Sequence, residues 1–256
     1  MKEFYTKVLF AKQGKTHIFS TGQAGFIIKS KSGQLLGIDL YLTDCVRRIE
    51  GHVGYHRLLP KILHPSELEF DVLIATHPHK DHFDDDAIPL MITDKSTSLF
   101  ASVECESDVK RLNLTNENIT YVTPGENHKV GDFELDFINC DHGTGAPDAV
   151  GVIITVDEKR IMVVGDSCLR TDRKDEYLKK GALDVMIAPI NGAYGNLNER
   201  ECTTLSGILK PKLTIPCHYG MFASQGGDPG KFYRIMCDEQ PDLKFKLMCQ
   251  GEGITV

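Results

Sequence analysis

The 256-residue sequence has no apolar run near the roughly 20 residues a membrane-spanning helix needs, which argues against a membrane span. Its opening stretch "MKEFYTKVLF" mixes charges among apolar residues and lacks a signal-peptide core with a small-residue cleavage site. There is no excess of basic residues, since the formal net charge is −7, so neither nucleic acid nor an anionic membrane is the expected partner. No low-complexity tract, internal repeat or Pro/Gly/Ser-rich linker divides the chain, so one domain over residues 1–256 is expected. The eight cysteines are dispersed, with no Cys-x-x-Cys pair. That spacing speaks against a disulfide framework and for small buried thiols in a reducing, cytoplasmic setting.

What is present is an ordinary globular composition, 41% hydrophobic and 25% charged, long enough to bury a sizeable core. Strand patterns recur. "GFIIKS" and "QLLGID" suggest a hairpin, as do "VGVIITV" and "RIMVVGD" around Asp157-Glu158-Lys159. "DVLIATH", "FELDFINC", "LDVMIAP", "KLTIPCH" and "LKFKLMC" suggest further strands. Helices are expected at "CESDVKRLNL", at "RKDEYLKKG" with Gly181 closing it, at "NERECTTLSGILK" behind an Asn198 cap, and at "DPGKFYRIMCDEQ" with Pro229 in its first turn. Residues 44–70 fit no strand pattern and read as a helical or irregular excursion. Hairpins interleaved with helices predict an α+β fold of mixed sheets covered by helices.

The chemistry concentrates in "THPHKDHFDDDAIP", residues 76–89, where His77, His79, Asp81 and His82 crowd together. A polar turn rich in imidazole is the simpler explanation until the rest of the chain is read. "FELDFINCDHG" then runs into His142, "RIMVVGDS" into Asp166 and "KLTIPCHYG" into His218. Four apolar strands each ending in His or Asp supply five imidazoles and two carboxylates, and strand ends place side chains to the accuracy that coordination needs. One tetrahedral ion with an open position needs three protein ligands, so seven donors suit two ions.

"HPHKDH" matches the His-x-His-x-Asp-His signature of the metallo-β-lactamase superfamily, and His142, Asp166 and His218 follow in the superfamily's order. "PINGAYGN", "ERECTTL" and "IPCHYGMF" resemble its L-ascorbate-6-phosphate lactonase-like branch. Two positions depart from that branch, Gly220 where Asp often follows the histidine pair and Ala193 where Arg often follows Pro-Ile-Asn-Gly.

The resemblance implies a four-layer αββα sandwich. It also implies two divalent ions, Mn²⁺ or Zn²⁺ with Fe²⁺ as an alternative, since affinity order alone does not choose among them. His77, His79 and His142 would hold one ion and Asp81, His82 and His218 the other, with Asp166 between them. Asp81 would also act in catalysis, orienting a metal-bridging hydroxide or relaying a proton. The expected reaction is hydrolysis of a lactone or related ester of a small sugar, phosphorylated as in L-ascorbate 6-phosphate. The alternatives are a phosphodiesterase or nuclease on the same fold, or a binding protein with a vestigial site. An oligomer would be in keeping with the family.

Around the site, Asn191 in "APINGAYGN" follows a strand and is a candidate to bind substrate, although Asn-Gly is also a turn signal. Arg57 and Arg170 are candidates to receive a substrate anion through bidentate hydrogen bonds. His17, His52, His56, His64 and His128 have no partner pattern and read as surface or loop residues. Asp84–Asp86 read as charge stabilising a helix start rather than as a cation site.

Overall fold

The computed structural model describes residues 2–93, 96–115 and 117–256. Its first sheet contains β1 (His17–Gly22), β2 (Gly25–Lys29), β3 (Leu35–Ile38), β4 (Val72–Ala75), β5 (Ser98–Ser102), β6 (Ile119–Val122) and, at one edge beside β1, the C-terminal strand Gly253–Thr255. The second sheet contains β7 (Asn127–Val130), β8 (Phe133–Asn139), β9 (Val150–Val156), β10 (Lys159–Val163), β11 (Val185–Pro189) and β12 (Leu213–Cys217), in spatial order 12-11-10-9-8-7. Both sheets are mixed. β3 through β6 run parallel, as do β10 through β12, whereas β1–β2–β3 and β7–β8–β9–β10 are antiparallel.

Alternation along the strands explains the layering. Val72 and Ile74 of β4 face Val152, Ile154 and Val163 of the second sheet in one shared core. Their neighbours Leu73 and Ala75 point the other way, onto α1 (Lys2–Leu9) through Phe4 and Val8, onto α3 (Ile88–Met91), which follows α2 (Cys45–Glu50) in the chain, and onto α4 (Glu106–Arg111). On the far side, Ile153, Met162 and Met186 pack against α5 (Lys174–Leu178), α6 (Glu199–Leu209) and α7 (Pro229–Glu239). Period-2 burial on two sheets with helices on both outer faces gives an αββα sandwich.

Local signals hold where the chemistry is strong. Asn198 caps α6 in a full capping box with Glu201, and Asp228 caps α7 with Pro229 in the first turn. Residues 44–70 carry only α2 and a 3-10 turn, Val53–Tyr55. The expected strand at "LKFKLMC" does not form; one bridge, Phe245 to Thr214, is all the pairing it makes. Its alternation reflects burial instead, with Phe245 edge-on to Phe232 at 5.7 Å. The acidic run 84–86 leaves the first turn of α3 without an acidic residue. Asp84 accepts from the backbone N–H groups of Leu42, Thr43, Asp86 and Ala87 and so ties two loops together.

Candidate metal centre

The parallel strands of each sheet end at the same edge of the sandwich, where side chains from separate segments meet. β4 runs into Thr76 and His77, β10 into Asp166, and β12 into His218. Two hydrogen bonds stitch the sheets together there, Val150 N–H to Thr76 O at 3.0 Å and His218 N–H to Gln23 O at 2.8 Å. Gly165, at φ +74°, turns the chain just before Asp166, a conformation open to glycine at little cost. Gln23, Asp39, Tyr194 and His218 are non-glycine residues held in the same left-handed region, and all four lie at this edge. Such conformations persist where the surrounding structure enforces them, most often at functional sites.

The structure brings all seven sequence-derived donors together. His79 Nδ1 lies 3.0 Å from both His77 Nε2 and His142 Nε2. A single proton can bridge only one of those pairs, whereas a cation engages all three nitrogens. Asp166 Oδ2 lies 3.1 Å from His218 Nε2, 3.4 Å from His82 Nε2 and 3.8 Å from His142 Nε2, between the two groups. Asp81 Oδ2 is 3.5 Å from His218 Nε2 and 3.9 Å from His82 Nε2. His82 Nε2 is buried without a hydrogen-bond partner, which is costly unless something else fills its lone pair. The donor set therefore fits divalent metal, with clusters His77–His79–His142, His77–His82–Asp166 and Asp81–His82–His218 each compact enough to hold an ion.

Electrostatics divide the donors. Burial, reinforced by neighbouring imidazoles, pushes His77 well below the usual histidine range and His142 down to about 4, and burial lowers His79 as well. All three are neutral at pH 7, the form that coordinates metal. Burial works against the charges of Asp81 and Asp166, but His82 and His218 outweigh it and hold both carboxylates ionised. Conversely, burial disfavours a proton on His82 and His218. Asp166, with Asp39 and Asp81 at His82 and Asp81 at His218, overrides that penalty and raises both, His218 to about 9.

Sequence reasoning missed the residues that orient these donors. Asp39, directly after β3, accepts from His82 Nδ1 at 2.9 Å, from Thr76 Oγ1 at 2.7 Å and from the Thr76 N–H at 2.9 Å. Thr76 Oγ1 in turn lies 3.1 Å from His77 Nδ1. A carboxylate behind a ligating histidine fixes which ring nitrogen stays free. Asp39 had a readable signal, since "QLLGID" is another apolar strand ending in an acid. Gln23, in the β1–β2 turn, donates through Nε2 to Asp81 Oδ2 at 2.8 Å and to Gln225 Oε1, and it had no such signal.

A cavity of about 250 Å³ opens onto the cluster, lined by His79, Asp81, His142, Asp166 and His218 on one side. Val46, Ile49, Glu50, Tyr55, Pro78, Lys80, Tyr194 and Gln225 complete the lining. The expected anion-binding arginines do not line it. Arg57 donates to the carbonyls of Tyr41 and Thr43 and stacks 4.7 Å above the Tyr41 ring, and Arg170 pairs with Asp141 and Asp172. Asn191 is buried and does not line the cavity; its Oδ1 accepts from Asn196 Nδ2 at 3.2 Å.

An αββα sandwich with a His/Asp cluster at the carboxyl ends of its strands defines a class of metal-centred domains, and comparison with known proteins places the chain within it. The family model described as Beta-lactamase superfamily domain matches residues 17–218, most of the chain, and the protein belongs to that superfamily. A "UPF0173 metal-dependent hydrolase" from Polynucleobacter asymbioticus is 26% identical over 94% of this chain and 87% of its own length. A metallo-hydrolase from Ignicoccus hospitalis superposes with a TM-score of 0.75 at 20% identity, over 94% of this chain and 98% of that one. A metallo-β-lactamase fold protein from Bacillus subtilis superposes with a TM-score of 0.69 at 14% identity, over 95% and 100%. The fold is the metallo-β-lactamase fold.

Proposed function

We propose that the protein is a metal-dependent hydrolase of small-molecule carboxylic esters or lactones. In this reading His77, His79 and His142 hold one divalent ion, Asp81, His82 and His218 a second, and Asp166 lies between them. Zn²⁺ or Mn²⁺ bound there would supply Lewis acidity and bring the pKa of water down to about 7. The protein's own part is positional. Three neutral imidazoles keep one half of the site unprotonated, Asp39 locks the tautomer of His82, and Gln23 aims the Asp81 carboxylate. Asp81 lines the cavity, and its carboxylate, held by Gln23, would orient water there or relay its proton. Val46, Ile49 and the two tyrosines give the cavity an apolar surface for the rest of the substrate. Eight free thiols, five of them buried, support a reducing, cytoplasmic setting.

The observation that carries this reading is the meeting of three neutral imidazole nitrogens and a bridging-placed carboxylate on the floor of a cavity. The name of the Polynucleobacter relative agrees with it. The phosphorylated sugar lactone expected from sequence is not carried forward, because Arg57 and Arg170 are committed to other partners. The test is an ester and lactone panel with added Zn²⁺ or Mn²⁺, beside generic phosphodiesters. Asp166→Ala is expected to abolish turnover and His128→Ala to preserve it. Equal activity of the two variants, or phosphodiester turnover with silent lactones, would overturn the proposal.

A further inference from the structure

We infer that the cavity selects a neutral acyl substrate with an apolar or aromatic body, and that Tyr55 and Tyr194 clasp that body. The inference rests on the hydrolase reading for the end of the substrate that meets the cluster and concerns the opposite end. Tyr55 comes from the 44–70 excursion and Tyr194 from the loop after β11, yet their hydroxyls meet at 2.6 Å. The Tyr55 ring is braced edge-on against Phe222 at 5.8 Å. Tyr194 is held at φ +55°, a backbone conformation that a tyrosine seldom adopts. The residue is nevertheless 58% exposed, and Ile49 beside the same cavity is 41% exposed. Large apolar side chains left open at the mouth of a polar site are what a ligand would cover.

Charge on this wall argues against an anionic body. Among the described residues lining the cavity, Lys80 is the one lysine or arginine, and its ammonium is held 2.8 Å from Asp108 and 3.2 Å from Asp85. Glu50 adds a negative charge to the same wall. Nearby, Arg173 is paired with Asp141, as Arg170 is. A phosphate at the distal end of a substrate would lose hydration against Val46, Ile49 and the tyrosine pair, with no guanidinium to receive it. At about 250 Å³ the cavity lies below the range of drug-sized sites, so the substrate is small.

The test compares δ-nonalactone with 6-phosphoglucono-δ-lactone as substrates of the metal-loaded protein. Alongside it, calorimetry measures binding of the non-hydrolysable δ-lactam matching nonalactone, and of glucose 6-phosphate. The chain contains no tryptophan, so tyrosine fluorescence gives a second view of the clasp. Nonalactone should have the higher kcat/KM and the lactam should bind more tightly than glucose 6-phosphate. Because Tyr194 is exposed, Tyr194→Ala should fold normally, raise the nonalactone KM and weaken the lactam about tenfold, and leave kcat within about threefold. Ile49→Arg should shift preference toward the phosphorylated lactone. If glucose 6-phosphate binds as well as the lactam, or the phosphorylated lactone is the better substrate, the inference is wrong while the hydrolase reading stands. If nothing is hydrolysed yet the lactam binds and Tyr194→Ala weakens it, the hydrolase reading fails and the clasp is upheld. Absence of both turnover and lactam binding would remove both.

Discussion

Asp39→Asn isolates the contribution of a residue that touches no proposed ion. The carboxylate is buried and accepts three hydrogen bonds, one of them from His82 Nδ1 at 2.9 Å. Asparagine preserves its shape and tolerates φ +48°, so backbone strain is unchanged. The amide oxygen serves either the Thr76 N–H or the position shared by the Thr76 hydroxyl and His82 Nδ1, and the NH₂ group faces the other as a competing donor. The negative charge that fixes His82 with Nε2 free is gone. Hydrogen bonds to charged groups contribute about 1.5–3 kcal/mol, and loss of an outer carboxylate typically lowers metal affinity about 10- to 100-fold. His82 belongs to the Asp81–His82–His218 group, whereas His77 feels Asp39 only through Thr76. One of the two binding steps, that of the His82 group, should therefore drop by about 10- to 100-fold, with the other within about threefold. Competition titration of the metal-free protein against a chromogenic chelator resolves the two steps, and thermal melting confirms that the variant is folded. Unchanged affinity in both steps would refute the role given to Asp39.

Other perturbations probe the scaffold. Gly165→Ala puts a Cβ 3.0 Å from Cys140 Sγ and 3.1 Å from Val150 O at φ +74°. It should cost about 1–3 kcal/mol, visible as a melting temperature lowered by about 2–4 °C per kcal/mol, and an unchanged melt would contradict it. Burial opposes ionisation of Asp108, but Lys80 and Arg111 outweigh it and hold the folded pKa below 3.8. Its stabilisation is complete above that value and lost as pH falls through the lower folded pKa. Asp108→Asn should thus cost about 1–2 kcal/mol at pH 7, a gap that narrows in urea titrations below pH 3.8, and a pH-independent gap would exclude the linkage. Ellman's reagent should modify Cys168, Cys237 and Cys249 quickly in the native protein and all eight thiols in denaturant. Fewer than eight after unfolding would reveal a disulfide.

The donor set was legible because every donor lies within a few residues of the end of a short apolar strand, so a local pattern coincides with the three-dimensional one. Asp39 obeys the same rule, but its meaning depends on β3 lying parallel to β4, a pairing no local pattern displays. Gln23 was out of reach, since a turn residue in a left-handed conformation shows no periodicity. Arg57 and Arg170 illustrate the limit for charge. A guanidinium in the right neighbourhood can be consumed by carbonyls and carboxylates that only the folded chain brings near, here Tyr41, Thr43 and Asp141. "LKFKLMC" was misread because alternation records burial, and burial against α7 at the sheet's edge looks like a strand when only one bridge forms. The tyrosine pair joins residues 139 positions apart, and its existence is purely tertiary.

Metal content at equilibrium tests the core of this reading most directly. After metal loading and gel filtration, the intact chain should retain two Zn²⁺ or Mn²⁺ ions, His128→Ala should also retain two, and Asp166→Ala should retain fewer than one. An intact chain carrying less than one ion, or an Asp166→Ala variant carrying the full complement, would contradict it.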